Sequence, residues 1–143
     1  MHAKSDIEVR PYESSHQKIW DEFVRNHPDA THCHLSGWKE VIEKTYGHKT
    51  DYLIVFYSQT NSSPKAPPVA GQVRGPSSYL EVSAEPGRRI RGILPLVHFR
   101  SLFFGRRLVS MPFLNYGGIL ADDEDAGKML LRKAHEIRNR IKA

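Results

Sequence analysis

The sequence predicts an α/β fold of the α+β type, a mixed and mostly antiparallel sheet with flanking helices. Three observations carry this. Apolar residues recur at helical spacing in three stretches, 16–26, 36–46 and 124–141. Short apolar runs with strand character stand between and before them, at 7–10, 52–57, 90–99 and 108–111. Glycine and proline punctuate the junctions. The expected order is β-α-α-β-β-β-α.

Ile7-Glu8-Val9-Arg10 alternates and is stopped by Pro11, as a short first strand would be. Ser14 with Gln17 three residues on fits a capping box. Ile19, Trp20, Phe23 and Val24 then share one helical face, and Asn26-His27-Pro28 ends the helix. Ser36 is placed to cap a second helix with a stripe of Trp38, Val41, Ile42, Thr45 and Tyr46, stopped by Gly47. Tyr52-Leu53-Ile54-Val55-Phe56-Tyr57 is too short for a helix and reads as a central strand. Pro95 inside the next strand removes a ladder donor, so it demands an edge or a bulge. Leu108 to Met111 supplies the partner strand after a turn at Gly105. Asp123-Glu124-Asp125 opens the last helix, whose apolar face is Ala126, Met129, Leu130, Ala134, Ile137 and Ile141. Acids at its start and Lys133, Arg138, Arg140 and Lys142 at its end suit the helix dipole, which explains the acidic run 122–125 without a metal.

Residues 58–88 differ in character. They hold Pro64, Pro67, Pro68, Pro76 and Pro86 with several glycines and serines, a composition that buries too little apolar surface to offset the entropy of ordering it. A disordered insertion is expected there, with Tyr79-Leu80-Glu81-Val82 its one extended candidate.

At 143 residues and 39% apolar content, the chain is one domain at most. No apolar run is long enough to span a membrane, and Met1-His2-Ala3-Lys4-Ser5-Asp6 lacks the apolar core of a secretory signal. The single cysteine, Cys33, permits no internal disulfide, so a cytoplasmic location is the expectation. The formal net charge of +5 favours anionic partners such as phosphates, nucleotides, RNA or acidic lipid.

The most informative stretch is 88–120. It carries Arg88, Arg89, Arg91, Arg100, Arg106 and Arg107 with no Asp or Glu between them, and ends in Asn115-Tyr116-Gly117-Gly118. Adjacent glycines permit backbone conformations closed to other residues and a close approach to a ligand. Arg106 and Arg107 are the anion-binding candidates. A solvated basic edge strand and an ordinary turn account for the same residues. Phe99, Arg100, Phe103, Phe104 and Arg106 interleave aromatic and basic character as an RNA surface would, but core aromatics on a hairpin fit equally.

His27, His32, Cys33 and His34 cluster in sequence, yet their spacing fits no zinc site, and surface or partly packed histidines explain them better. Cys33 has histidines beside it but no third group that would make it a nucleophile. Lys39 and Lys44 project from the second helix, where a phosphate or plain solvent can meet them. Phosphate loops, dinucleotide fingerprints and hydrolase elbows are absent from the sequence.

The element order resembles the first half of a GNAT acyltransferase domain. His34-Leu35-Ser36-Gly37-Trp38-Lys39-Glu40-Val41-Ile42, Tyr46-Gly47-His48, Gly92-Ile93-Leu94-Pro95-Leu96-Val97, Leu102-Phe103-Phe104-Gly105, Leu108-Val109-Ser110-Met111-Pro112-Phe113 and Tyr116-Gly117-Gly118 together resemble the N-terminal region of FemAB-like proteins, nearest the subgroup associated with exosortase and exopolysaccharide systems. The resemblance covers nearly everything outside 58–88. It implies an aminoacyl- or acyltransferase whose acceptor is an amine of a cell-envelope precursor. It also implies an acceptor pocket drawing on Trp38, Lys39, Asn115, Tyr116, Gly117 and Gly118. No bound cofactor is implied; the donor, aminoacyl-tRNA or acyl-CoA, would be a substrate. Catalysis would rest on positioning and on backbone donors for a developing oxyanion.

The loop at 58–88 and the stop after the third helix depart from that pattern. They suggest an incomplete GNAT-like domain, 1–143, that lacks the donor-binding strand and helix and any region meeting tRNA. Such a domain is expected to leave 52–56 and the last helix's face uncovered and to self-associate. The rival reading is a non-catalytic anion-binding or protein-interaction fragment.

Overall fold

Residues 52–56 of the strand β2 (Lys49–Ser58) are all buried, so this strand is covered on both faces. The computed structural model describes residues 6–58, 88–112 and 117–143. Of the stretch 58–88, for which a disordered insertion is expected, 59–87 lie outside them, while its end residues Ser58 and Arg88 are paired with each other in the sheet. β2 pairs antiparallel with β1 (Asp6–Pro11) on one side and with β3 (Arg88–Ser101) on the other. β3 in turn pairs antiparallel with β4 (Gly105–Val109) and, further back, with the two-residue β5 (Leu120–Ala121). Among the described residues the sheet therefore runs β1-β2-β3-β4, with β5 beside β3.

Alternation along these strands sorts the core into two layers. Tyr52, Ile54 and Phe56 join Ile93 and Val97 beneath α1 (Gln17–Asn26) and α2 (Gly37–Tyr46), whose Ile19, Trp20, Val24 and Ile42 close that side. Leu53, Val55, Leu94 and Leu96 face α3 (Glu124–Ile141) through Ala126, Leu130, Ala134 and Ile137. The mixed α/β class with a mostly antiparallel sheet holds, and the expected element order holds with β5 added. The expectation that 52–56 and the face of α3 would be uncovered fails, because the helices on opposite sides bury both.

Local details depart from the sequence reading where polar groups found other partners. Ser14 does not cap α1. Instead Glu13 caps a 3-10 turn, Ser14–His16, that leads into α1, and the His16 Nδ1 accepts the Glu13 N–H at 3.0 Å. Ser36 precedes α2 with helical dihedrals and no capping bond of its own. Its N–H and hydroxyl both donate to the Asp21 carboxylate, at 2.8 and 3.0 Å, so a side chain of α1 secures the start of α2. The stripe of α2 is narrower than its spacing suggests. Ile42 is buried and Trp38 packs at the core's rim, while Val41, Thr45 and Tyr46 are exposed.

Pro95 is resolved by pairing. Tyr52, opposite it, turns its carbonyl to Tyr12 N–H on the β1 side, so Pro95 turns its own backbone away from β2. There β3 has no ladder partner among the described residues, because β4 begins pairing at Val97 and β5 ends at Ile93. The missing donor falls in a local edge, as a proline requires.

The two-sided packing predicts a sharp contrast on α3. Leu130→Ala, fully buried against the sheet, should cost about 2–5 kcal/mol in urea unfolding, whereas Leu131→Ala, half exposed on the same helix, should stay within about 0.5 kcal/mol.

Candidate functional site

The glycine turn is built around one serine. Ser110 Oγ donates to the Pro95 carbonyl at 2.7 Å and accepts the Gly118 N–H at 2.7 Å. The hydroxyl thus satisfies the unpaired carbonyl of β3 and fixes the turn to the sheet. Gly118 sits at φ +111, in territory that side chains avoid, and a Cβ on Gly117 would lie 2.9 Å from both the Met111 Cβ and the Ser110 carbonyl. Met111 itself is held at φ +51, fully buried, with Tyr52 Oη donating to its sulfur at 3.6 Å. Burial, helped by the negative charge of Glu43 and by Tyr12, pushes the Tyr52 hydroxyl far above its usual range, so it remains a neutral donor. Both glycines therefore have structural reasons to be glycine, and the Gly118 N–H is already committed. Asn115 and Tyr116 lie outside the described residues.

Trp38 and Lys39 sit in the first turn of α2. The Trp38 indole N–H donates to the His32 carbonyl at 3.0 Å, and its ring packs on the same core cluster that contains Met111. One hydrophobic cluster therefore borders both Trp38 and the glycine turn. Lys39 pairs with Glu43, which also accepts from Thr50. Burial pushes the Glu43 carboxyl up, but those two hydrogen bonds and the lysine charge outweigh it and hold it below the usual range. Lys44 likewise pairs with Glu40.

The histidines serve the turn before α2. His34 is buried, its Nδ1 accepts the Thr31 N–H at 3.1 Å, and its carbonyl accepts the Trp20 indole N–H at 2.7 Å. Thr31 and His34 repeat the reciprocal cap made by Glu13 and His16. Cys33 is buried, with its sulfur 3.6 Å from His32 Nε2.

A polar junction that the sequence did not announce lies where α1 meets β5. The register of β3 slips between Val55 and Phe56, leaving Arg91 as the extra residue of a bulge. Arg91 is ion-paired with Asp123 and lies over the Tyr57 ring at 5.4 Å, while its carbonyl accepts Asp122 N–H at 2.8 Å. Asp123 in addition caps α3 by accepting the Ala126 N–H. His27 accepts Asp29 N–H at Nδ1 and donates from Nε2 to the Ala121 carbonyl at 3.2 Å, with Asp122 Oδ1 at 3.8 Å. Partial burial raises the Asp122 carboxyl against the opposing pull of His27, Arg91 and Arg89. The contacts of His27 with Ala121 and Asp122 join residues more than 90 positions apart, which no local spacing signals.

The arginine series divides. Arg88 and Arg91 are drawn to Glu8 and Asp123. Arg106 and Arg107 stand on β4 at the hairpin, with Arg106 Nη1 3.4 Å from the Ile141 carbonyl and Arg107 over the Phe104 ring at 5.8 Å. Arg106 and Arg107 stand opposite Arg100 and Phe99, five and four residues along β3 from Pro95, about 13–17 Å at strand spacing, so these arginines are separate from the glycine turn. Phe103 and Phe104 are exposed, which rules out the core-aromatic explanation for them.

No family model, curated protein or solved structure matches the chain.

Two outcomes follow from this geometry. Gly118→Ala and Gly117→Ala should each lower stability by about 1–3 kcal/mol, the first through φ and the second through the Met111 contact, while Gly37→Ala, with open space at its Cβ, should stay within about 0.5 kcal/mol in the same urea titration. Burial holds the His34 imidazole below its ordinary 6.5. The unfolded chain then binds the extra proton first, so His34's contribution is complete above about pH 6.5 and is lost as pH falls below it. Unfolding free energy measured between pH 7.5 and 5 should fall on acidification, and His34→Gln should flatten that slope; an unchanged slope would remove His34 as its source.

Proposed function

We propose that this chain is the N-terminal, acceptor-side portion of a FemAB-like transferase that moves an aminoacyl or acyl group onto an amine of a cell-envelope precursor in the cytoplasm. The observation carrying this reading is the β-α-α-β-β-β-α order realised as an antiparallel β1-β2-β3-β4 meander, with α1 and α2 on one face and α3 on the other. It is supported by the motif residues around Trp38 and the glycine turn, which border one core cluster. Fold order by itself does not fix an activity, so the weight rests on the acceptor. The amine would attack an activated acyl carbon of aminoacyl-tRNA or acyl-CoA, and the role of these residues is to position the acceptor. A purely anion-binding role is the second reading, favoured by the hairpin arginines that lack a carboxylate partner among the described residues.

Titration of the chain with a nucleotide-linked muramyl peptide separates the two. The transferase reading expects saturable binding that perturbs Trp38 fluorescence and weakens at least about tenfold in Trp38→Ala, with Arg106→Gln/Arg107→Gln unaffected. Binding lost in the arginine variant and kept in Trp38→Ala would favour the anion-binding role, and no saturable binding would overturn the acceptor-side reading.

A further inference from the structure

The tip of the β3–β4 hairpin exposes three consecutive apolar side chains. Leu102 is 101% exposed, Phe103 91% and Phe104 68%. Ser101 pairs with Gly105 across the hairpin, and Gly105 at φ +72 closes the three-residue loop. Behind the tip, Arg100 stands directly opposite Arg106 and Phe99 opposite Arg107. Like charges facing across a strand pair repel, and no carboxylate pairs with Arg100, Arg106 or Arg107 among the described residues. Arg106 also reaches the Ile141 carbonyl, which brings the basic last turn of α3, with Arg138 and Arg140, beside the hairpin. Residues 88–121 contain no acidic side chain at all.

We propose that this hairpin is a membrane-surface anchor whose Leu102, Phe103 and Phe104 insert into an anionic bilayer while Arg100, Arg106 and Arg107 engage its headgroup phosphates. An apolar point with a basic collar is the chemistry of interfacial binding, in which buried apolar area and attraction to anionic lipid add. The backbone at the tip suits that environment. Ser101 Oγ accepts the N–H groups of both Phe103 and Phe104, at 3.3 Å each, so two donors that would enter the bilayer are already satisfied. Leu102 decides between lipid and single-stranded RNA. It is the most exposed of the three and offers no ring face for a base to stack on. No described helix is long and apolar enough to cross a membrane, so attachment would be peripheral. This anchor stands independently of the transferase reading.

Co-sedimentation of the whole chain with vesicles tests it. Wild type should bind vesicles of phosphatidylcholine with one-third phosphatidylglycerol, bind pure phosphatidylcholine far less, and release as salt rises. Leu102→Ser/Phe103→Ser/Phe104→Ser should lower the partition coefficient at least about tenfold at low salt, and Arg106→Gln/Arg107→Gln about thirtyfold on anionic vesicles only. Leu102→Ser alone, whose side chain touches little of the fold, should lower it measurably with unchanged circular dichroism. The proposal is overturned if wild type fails to bind anionic vesicles, if the serine variants bind as wild type does, or if a uridine oligonucleotide is bound while vesicles are not.

Discussion

Burial of β2 on both faces is the constraint on which the rest of this structure depends. A strand whose successive side chains are all apolar cannot leave either face to water, so helices must cover the sheet from two sides. α1 and α2 take one side, with Trp20 stacked on Tyr52 at 5.2 Å between ring centroids. α3 takes the other through Ala126, Leu130, Ala134 and Ile137. The long meander partner β3 shares both layers, because Ile93 and Val97 face the first while Leu94 and Leu96 face the second.

Dry layers on both sides leave the polar groups at the helix ends to be satisfied by a few side chains, and these do so with economy. Among the described residues no buried side-chain nitrogen or oxygen lacks a partner. Asp21 holds the start of α2 from α1, Asp123 caps α3 while meeting Arg91, and Ser110 serves a β3 carbonyl and a turn N–H with one hydroxyl. Each of these residues ties two elements together. The positions richest in polar chemistry, including the glycine turn and the histidine turns, are therefore largely consumed in holding the fold. The hairpin tip differs, since its apolar side chains and arginines contribute little to either layer.

The elements dominated by one face were legible in the sequence. The α1 stripe, the continuous apolar run of β2 and the inner face of α3 each carry a period that admits one burial pattern. Legibility failed where a neighbour decided the outcome. Val41 and Tyr46 fit a helical stripe, but only Ile42 and Trp38 of α2 reach the sheet layer. Ser14 and Ser36 have the chemistry of caps, yet Glu13 and Asp21 provide the bonds. Phe103 and Phe104 have core composition and lie in the open because a three-residue hairpin tip belongs to neither core layer. Of the candidate site, the need for glycine at 117 and 118 was visible, whereas the Ser110 bridge depends on how β3 and the turn meet and the junction of His27 with Asp122 on a contact distant in sequence.

Hydrogen exchange resolved by residue tests the doubly covered strand most directly. Amides of Leu53, Ile54, Val55, Ile93 and Leu94 should exchange only through global unfolding, with a free energy equal to that from urea denaturation, while amides of β1 and β4 exchange faster through local opening. Exchange of the β2 amides at rates typical of an exposed edge strand would contradict the three-layer arrangement.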